Sequence, residues 1–328
     1  MSNSDKQITY NKYRDQVYPM LANRINEMIK TVEIRECLLY ALEGGKYVRA
    51  CMYMIVLDQI KAEMTIKQYQ LIKSAAVYIE FIHAASLILD DMPHMDNDLT
   101  RRGRPSVHAK FGKAKAQLSA FVLIQVAHKT ISNIIMTLHR DEHYMTTDQY
   151  CFLQFLIYDK HCDFLGEDGL AGGQYADLFL MNNGTLEKYM TMIEGKTSRL
   201  FELAVTLPYL LVMSAHQLDD AQIEQHRQIG RDFGIVFQLL DDIIDYEPNI
   251  SLGNNVLDYT TMTKASELLC QHYYKCTETC TKLSLNFEII WAGIGDAFNT
   301  LLLKTLQRNV APSPQAEPLR LSPSTASR

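Results

Sequence analysis

The chain has 328 residues, 47% of them hydrophobic, and its 32 basic and 38 acidic residues leave a formal net charge of −6. A chain this long can bury a substantial core, and its excess of acid argues against nonspecific binding to nucleic acid. No apolar run reaches the roughly 20 residues of a membrane-spanning helix, and the first residues lack the apolar segment of a signal peptide. The seven cysteines have no CxxC spacing, as is typical of free thiols in a reducing compartment. We therefore expect a soluble cytoplasmic protein.

Residues that interrupt helices are scarce in most of the chain, since four of the nine prolines fall within the last 17 residues. Apolar residues recur at helical spacing, and no stretch alternates as a strand would. In chain order, the helical segments are predicted at residues 37–41, 52–60, 67–91, 113–139, 173–182, 185–215, 219–246 and 263–305. This pattern predicts an all-α single domain over residues 1–308. Residues 309–328 are rich in Pro, Ser and Ala and are predicted to form a disordered tail.

Two of the predicted helices carry clear information about burial. The helix over residues 67–91 is apolar on nearly all sides from Ser74 to Leu89, which predicts a place in the core of a bundle, and Pro93 should stop or kink it. In the helix over residues 113–139, the buried side is predicted to consist of Leu118, Val122, Val126, Ile131, Ile134 and Ile135.

Two clusters of aspartate each follow an apolar helical stretch, one at residues 90–98 (DDMPHMDND) and one at residues 241–245 (DDIID). In the second cluster Asp241 and Asp245 are four residues apart, so their carboxylates share a helix face with Gln238. In the first cluster Asp90 and Asp96 are six residues apart, and the break at Pro93 could fold Asp96 back toward Asp90. Desolvated carboxylates this close repel each other unless a cation lies between them, and oxygen ligands suit Mg²⁺.

Basic residues flank the same elements, at residues 101–104 (RRGR), at Lys46 and Arg49 after a Gly-Gly break, and at Lys196 beside Thr197. Guanidinium groups bind phosphate in two-pronged fashion, and lysine adds a point charge. Cations beside metal-type carboxylates indicate a substrate with more than one phosphate. The chain has neither a GxxxxGK[ST] nor a GxGxxG motif, so a nucleotide is not the expected phosphate donor.

Five motifs, in order and spacing over residues ~35 to ~250, resemble those of the trans-isoprenyl diphosphate synthases of farnesyl and geranylgeranyl type. They are GGKYVR at 44–49, DDMPHMD at 90–96 with the following RRGRP, GQYADL at 173–178, KT at 196–197 and FQLLDDIID at 237–245. The resemblance implies an isoprenoid-synthase helical bundle around a deep central cavity, usually a homodimer.

The resemblance also implies roles for individual residues. Asp90, Asp96 and Asp241, with Asp245, would hold three Mg²⁺ ions. Asp90, Asp96, Asp241 and Lys196 would be catalytic. The allylic diphosphate (dimethylallyl, geranyl or farnesyl) would be bound by Lys196, Thr197, Gln238 and Arg101, and isopentenyl diphosphate by Lys46, Arg49, Arg102 and His83. The implied reaction is ionisation of the allylic diphosphate followed by attack of the isopentenyl double bond.

The sequence departs from the family pattern at two places that bear on activity. Tyr47 replaces the first Arg of GGKRxRP, and Ala50 replaces its Pro. The loop after the second aspartate motif, residues 246–263, has no lysine or arginine where the family has a lysine-bearing loop. A farnesyl diphosphate synthase, a terpene cyclase and a weakly active or regulatory synthase subunit therefore remain alternatives.

Small side chains precede the first aspartate motif and bear on product length. Ser86 is one helical turn before Asp90, Ile82 is two turns before it, and Ala85 borders the same stripe. Farnesyl-type members of the family often have a bulky aromatic residue at the position of Ala85. The small residues here favour geranylgeranyl diphosphate as the main product, with Ile82 or a residue from another helix as the floor of the cavity.

Overall fold

The computed structural model describes residues 2–60, 62–181, 184–246 and 255–309. Its first helices are α1 (Asn3–Met28), α2 (Val32–Leu42), α3 (Val48–Leu57), α4 (Ile66–Ser74), α5 (Ala76–Asp90), α6 (Val107–Phe111) and α7 (Lys113–Arg140). The remaining helices are α8 (Thr147–Leu165), α9 (Leu170–Phe179), α10 (Leu186–Ile193), α11 (Arg199–Met213), α12 (Asp220–Asp245), α13 (Met262–Lys282), α14 (Glu288–Gly293) and α15 (Asp296–Asn309). The all-α prediction is confirmed. The predicted tail beyond Asn309 lies outside the described residues.

The interior of the bundle is built from α3, α5, α11 and α12, which are apolar on most or all sides. α5 packs extensively on α7, and α11 on α12, while α3 contacts both α5 and α11. All residues of α11 from Leu200 to Val212 are buried, as are nine of the ten residues of α3. α5 and α12 carry the two aspartate motifs at their C-terminal ends. Both motifs therefore lie at the ends of interior helices.

The predicted helix over residues 67–91 is two helices, α4 and α5, separated at Ala75. The Tyr53 hydroxyl donates a 2.6 Å hydrogen bond to the carbonyl of Ile72, and the Ala75 N–H donates to the same carbonyl at 3.0 Å. The Ile72 carbonyl thus accepts one hydrogen bond from the Tyr53 hydroxyl and one from the amide three residues later. These bonds interrupt the regular series of α-helical hydrogen bonds. The prediction that this segment lies in the core is confirmed, because α5 is buried from Ala76 to Ile82.

The burial prediction for α7 is wrong at one position. Leu118 is 66% exposed, and the buried side of this part of α7 is instead formed by Leu123 with small residues, namely Ala116, Ser119, Ala120 and Ala127. Val126, Ile131, Ile134 and Ile135 are buried as predicted, and Val122 is half-buried. Small side chains on the buried side of a helix allow neighbouring helices to pack closely. A hydropathy pattern gives these small residues little weight, so it does not identify them as buried.

Two short strands were not predicted. β1 (Thr100–Arg101) pairs antiparallel with β2 (Arg104–Pro105). Arg102 (φ 55°) and Gly103 (φ 73°) form the two-residue turn between them, and a turn with two positive φ values matches the twist of a hairpin.

By length and composition alone, the helical stretches Ile66–Asp90 and Lys113–Arg140 could cross a membrane. Core helices of soluble proteins pass the same test, and 67% of the apolar window of the first stretch is buried inside the bundle.

Candidate active site

The first aspartate motif turns back on itself directly after α5. α5 ends at Asp90, because Pro93 has no N–H with which to continue the helix. The backbone N–H of Asp96 then donates a 2.9 Å hydrogen bond to the carbonyl of Asp90. The turn therefore brings Asp96 back to Asp90, as the position of Pro93 predicts.

Lys196 lies beside these carboxylates, on a π-helical turn (Glu194–Ser198) between α10 and α11. Its ammonium group pairs with the carboxylate of Asp177 on α9. Burial disfavours the charge of Lys196, but Asp177, Asp96 and Asp90 together outweigh burial and raise its pKa. A π-helical turn is rare and occurs frequently at functional sites.

The carboxyl groups of the first motif are destabilised as anions. Burial raises the pKa of Asp90 to about 7, Lys196 opposes this shift, and the Asp96 charge adds to it. Burial also raises the pKa of Asp96, against Lys196 and the amide of Gln174, which donates a 3.1 Å hydrogen bond to it. The charge of Lys196 therefore does not fully offset the effect of burial on these two carboxylates, and additional positive charge would stabilise their ionised form.

Close packing of α9 on the π-helical turn depends on a glycine of the GQ motif. A Cβ added at Gly173 would lie 2.2 Å from the backbone N of Lys196, so no other residue fits there without displacing the turn. This contact explains the glycine at 173 and sets the position of Lys196 relative to Asp177.

The two adjacent aspartates of the second motif have different surroundings. Burial and the Asp245 carboxylate raise the pKa of Asp241, while Lys46 lowers it, so Asp241 faces charged groups. Asp242 is buried and accepts hydrogen bonds from Gln238 (2.9 Å), from the backbone N–H of Val256 (3.1 Å) and from the hydroxyl of Tyr189. Burial raises the pKa of Asp242 to about 6 despite these donors. The geometry gives Asp241 access to a ligand and makes Asp242 an internal anchor.

Thr197 and Gln238, both predicted to bind diphosphate, contact each other. The Thr197 hydroxyl donates a 2.9 Å hydrogen bond to the side-chain carbonyl oxygen of Gln238. This bond ties the π-helical turn to α12.

A second group of polar residues contains Arg49 and His83. Arg49 Nη1 lies 3.3 Å from His83 Nε2, and its guanidinium carbon lies 4.3 Å from the centre of the Phe201 ring. Burial lowers the pKa of Arg49 to about 10, so Arg49 stays charged at neutral pH. Burial and then Arg49, Arg102 and Arg101 hold the pKa of His83 well below its usual value, so His83 is neutral. Arg49 Nε is buried and has no hydrogen-bond partner in the part of the chain that the structure describes, which leaves this N–H available to an anion.

Glu80, which none of the sequence motifs contains, belongs to this second group. It is buried on α5 and accepts a 3.1 Å hydrogen bond from the backbone N–H of Ala50. Its charge favours the charged form of Arg49 and so opposes the effect of burial. A single acid within an otherwise apolar helix, three residues before His83, is the sequence signal that could have identified it.

Arg101 and Arg102 are held by protein groups in this structure. Arg101 pairs with Asp91, to which its Nε donates at 2.9 Å, and with Asp98 at 2.9 Å. Arg102 Nη1 donates to the carbonyls of Ala41 (3.0 Å) and Glu43 (2.9 Å). The hairpin thus attaches both arginines to the ends of α5 and α2.

The departures from the family motifs are partly explained. Tyr47, in place of an arginine, has φ 51° and donates a 2.8 Å hydrogen bond to the carbonyl of Leu42. It is buried and stabilises the break between α2 and α3. Residues 247–254 of the lysine-free loop lie outside the described residues. At the end of that loop, the Asn255 side chain donates a 2.7 Å hydrogen bond to the carbonyl of Asp242.

The residues predicted to control product length lie on α5. Ile82 and Ala85 are buried, at 2% and 1% exposure. Ser86 is half-buried, and its hydroxyl donates a 2.9 Å hydrogen bond to the carbonyl of His83.

The predicted residues therefore form several connected groups. Asp90 and Asp96 lie with Lys196, Asp241 lies with Asp245 and Lys46, and Arg49 lies with His83. Among the described residues, no three His, Cys, Asp or Glu side chains converge tightly enough to hold a metal ion by themselves. Mg²⁺ commonly takes only one or two carboxylates and completes its shell with water and substrate phosphate.

Comparison with known proteins gives the same family. A family model described as polyprenyl synthetase matches residues 31–288. The chain is 30% identical to mitochondrial geranylgeranyl pyrophosphate synthase 6 of Arabidopsis thaliana over 252 residues, which is 75% of this chain and 69% of the relative. It is 32% identical to farnesyl diphosphate synthase of Bacillus subtilis (strain 168) over 236 residues, 71% of this chain and 73% of the relative.

A solved structure shares the fold. The crystal structure of a geranyltransferase from Legionella pneumophila matches with a TM-score of 0.73 at 23% identity, over 94% of this chain and 100% of that chain. With the motifs at residues 90–96 and 237–245, these matches lead to one conclusion: the chain belongs to the polyprenyl synthetase family of trans-prenyltransferases.

Proposed function

We propose that this prenyltransferase condenses isopentenyl diphosphate with an allylic diphosphate and makes mainly geranylgeranyl diphosphate. The observation that carries the proposal is the separation of two polar groups. The charges of Asp90 and Asp96 act on Lys196, while Arg49 is paired with His83 in a group of its own. Two diphosphates need two such places, whereas a terpene cyclase needs only one.

The donor set fits Mg²⁺, the metal that prenyl diphosphate synthases generally use. Asp90, Asp96, Asp241 and Asp245 offer only oxygen ligands, and burial makes the first three costly to ionise without a cation. We propose that these residues hold three Mg²⁺ ions together with the allylic diphosphate. When bound, the ions supply positive charge that stabilises the leaving diphosphate.

The protein's own cations would hold the allylic diphosphate. Lys196 is positioned by Asp177 and keeps its charge, and the Thr197 hydroxyl lies next to it on the π-helical turn. Arg101 would turn one edge of its guanidinium group to the diphosphate while Asp91 holds the other. Charge-assisted hydrogen bonds of this kind are among the strongest in proteins.

Isopentenyl diphosphate would bind to Lys46, Arg49, His83 and Arg102. Arg49 Nε has no hydrogen-bond partner among the described residues and would donate to the diphosphate, while Arg49 Nη1 contacts His83 at 3.3 Å. The Glu80 carboxylate favours the charged form of the Arg49 guanidinium group and so opposes the effect of burial.

The apolar interior would protect the cationic transition state. α5 and α11 present aliphatic and aromatic side chains on nearly every side, which excludes water that would otherwise quench an allylic cation. The isopentenyl double bond attacks this cation, and the released diphosphate accepts the proton that is lost.

The small side chains before Asp90 are the basis for the proposed length of the product. Ala85 and Ser86 have no bulk to stop a 15-carbon chain, so the chain would extend once more, with Ile82 as part of the floor. Burial of Ala85 also fits close packing of α5 on α7, and the product assay distinguishes these two roles.

A homodimer is also proposed, since the described surface carries exposed apolar side chains on two neighbouring helices. Leu118 and Phe121 on α7 are 66% and 63% exposed, and Phe152 and Phe155 on α8 are 55% and 68% exposed. A second copy of the chain would cover them. Sedimentation analysis of Phe121→Lys would yield monomers if this face forms the dimer.

One assay tests the proposed function. Purified protein is incubated with Mg²⁺, isopentenyl diphosphate and each allylic diphosphate, and the products are identified by mass spectrometry. Geranylgeranyl diphosphate supports the proposal, and farnesyl diphosphate as sole product would support the shorter-chain alternative. A cyclic hydrocarbon would indicate a cyclase, and no product from any substrate would favour a regulatory subunit. EDTA should abolish turnover, and Mg²⁺ should restore it.

A further inference from the structure

Outside the active site, two histidines face each other across α7 and α8. Nε2 of His128 on α7 is in direct contact with Nε2 of His161 on α8. The ring planes are inclined at 78°, with their centres 3.6 Å apart. His161 is buried and His128 is half-buried, so the pair joins the interior to the surface.

A third helix fixes one of the two rings. Nδ1 of His161 lies 2.6 Å from the hydroxyl of Tyr78, which is fully buried on α5. This bond occupies Nδ1 of His161 and holds the ring so that its other nitrogen, Nε2, points toward His128. Ligand histidines in metal sites are generally held in this way through their second nitrogen.

The histidine pair opens into a cavity of about 430 Å³. Its polar lining consists of the side chains of Gln125, Ser132, Gln154, Lys129 and Tyr158 together with the histidines. Among the described residues, no carboxylate lines the cavity, and Lys129, which is exposed to solvent, is its one charged group. The cavity therefore offers no ligands suited to Mg²⁺, but it has room for an ion with its water molecules.

We propose that His128 and His161 form a binding site for a transition-metal ion of the Zn²⁺, Cu²⁺ and Ni²⁺ class, separate from the aspartate site. Imidazole nitrogen suits these ions, and water with the nearby amide groups completes the coordination shell. Binding requires the two Nε2 atoms to move apart so that each lies about 2.0–2.1 Å from the ion. Half-exposed His128 supplies this movement, while Tyr78 keeps His161 in place.

The protonation state agrees with this role. Burial, with a smaller effect of His128, lowers the pKa of His161 to about 3, and burial lowers the pKa of His128 as well. Both rings are therefore neutral at pH 7, as metal ligation requires. The proton shared between the Nε2 atoms moves to an Nδ1 when the ion binds, so binding needs no net loss of a proton.

The bound ion would join α7 to α8 and thereby stabilise the fold by mass action. The site has no side chain in common with the proposed diphosphate groups. Its occupation therefore leaves prenyl transfer in Mg²⁺ unchanged, and the two proposals fail independently.

The test is calorimetric titration of the whole protein with Zn²⁺ in a large excess of Mg²⁺, which occupies the aspartates. We expect one Zn²⁺ per chain and a rise in melting temperature on binding. His128→Gln and His161→Gln should each weaken binding at least tenfold. Tyr78→Phe, which leaves both ligands present, should weaken it less. In the wild type, Cu²⁺ should show nitrogen splitting from two imidazoles in its electron paramagnetic resonance spectrum.

Two control variants identify other sources of binding. His139→Gln changes another α7 histidine, which contacts the carbonyl of Met145 at 3.0 Å, and Cys162→Ser removes the exposed thiol next to His161. Both should bind Zn²⁺ like the wild type. Unchanged affinity in His128→Gln, or loss of binding in Cys162→Ser, would overturn the proposal. If His161→Gln does not fold, His128→Gln and Tyr78→Phe still decide the question.

Discussion

The hydroxyl of Thr197 donates a 2.9 Å hydrogen bond to the side-chain carbonyl of Gln238. Thr197 follows Lys196 on the π-helical turn, and Gln238 lies one turn before Asp241 and Asp242 on α12. This contact helps to join the turn that carries the cation near the first aspartate motif to the helix that carries the second. The same Gln238 donates to Asp242 through its other amide atom, so its orientation is defined at both ends.

We predict that Asp90→Asn abolishes turnover but stabilises the metal-free protein. The pKa of Asp90 is about 7 in the folded protein against 3.8 in the reference state, so ionised Asp90 destabilises the fold at pH 8. A shift of about 3 pKa units corresponds to about 4 kcal/mol. Because Asp90 is only partly buried, solvent screening lowers this value, and the variant should be more stable by about 2 kcal/mol at pH 8 in EDTA. The difference should shrink as the pH falls below 7, because the wild-type carboxyl then becomes protonated. Urea denaturation at pH 8 and pH 5.5 measures this difference.

The matched control for Asp90→Asn is Asp15→Asn, which removes an exposed carboxylate on α1. It should show no such dependence on pH. Retention of more than about a tenth of wild-type activity in Asp90→Asn would contradict the metal-ligand role.

Substitutions in the second polar group should affect one substrate more than the other. Arg49→Ala and His83→Ala should raise the KM for isopentenyl diphosphate at least tenfold and change the KM for the allylic diphosphate much less, because charge-assisted hydrogen bonds to one diphosphate are lost. Steady-state kinetics with each substrate varied in turn measures both values. Equal effects on the two KM values would refute separate sites.

Ala85→Phe should shorten the product to farnesyl diphosphate while activity is retained. A phenyl ring one helical turn above Ile82 would occupy the path of the growing chain. Mass spectrometry of the products gives the chain length, and Ser86→Ala, which adds no bulk, is the control. Unchanged product length in a folded Ala85→Phe variant would show that Ala85 serves only the packing of α5 on α7.

Tyr189→Phe should destabilise the protein by about 1–3 kcal/mol, because buried Asp242 then loses a hydrogen-bond donor. Tyr175→Phe, at an exposed position on α9, should change stability by less than about 0.5 kcal/mol. Chemical denaturation compares the two. Equal stability of Tyr189→Phe and the wild type would mean that Asp242 does not depend on the Tyr189 hydroxyl.

Local features of the sequence were sufficient for much of the site. Pro93 predicted the end of the helix before it and the return of Asp96 to Asp90, because proline acts on its immediate neighbours. Helical periodicity located α7 to within one residue at its C-terminal end, although it assigned Leu118 to the wrong side. The five motifs identified the family because their residues and spacing are specific. These signals depend on residues close together in the chain.

The different surroundings of Asp241 and Asp242 could be decided only by the tertiary structure. The two residues are chemically identical and adjacent, and both belong to the DDIID motif. One faces Lys46 and the other is bound by Tyr189 and Val256, because segments distant in the sequence come together at the end of α12. The roles of Glu80 and of the His128–His161 pair arise in the same way. The sequence by itself determined the family, the all-α class of the fold and the motifs, whereas burial and pairing depend on which distant side chains the packed bundle brings into contact.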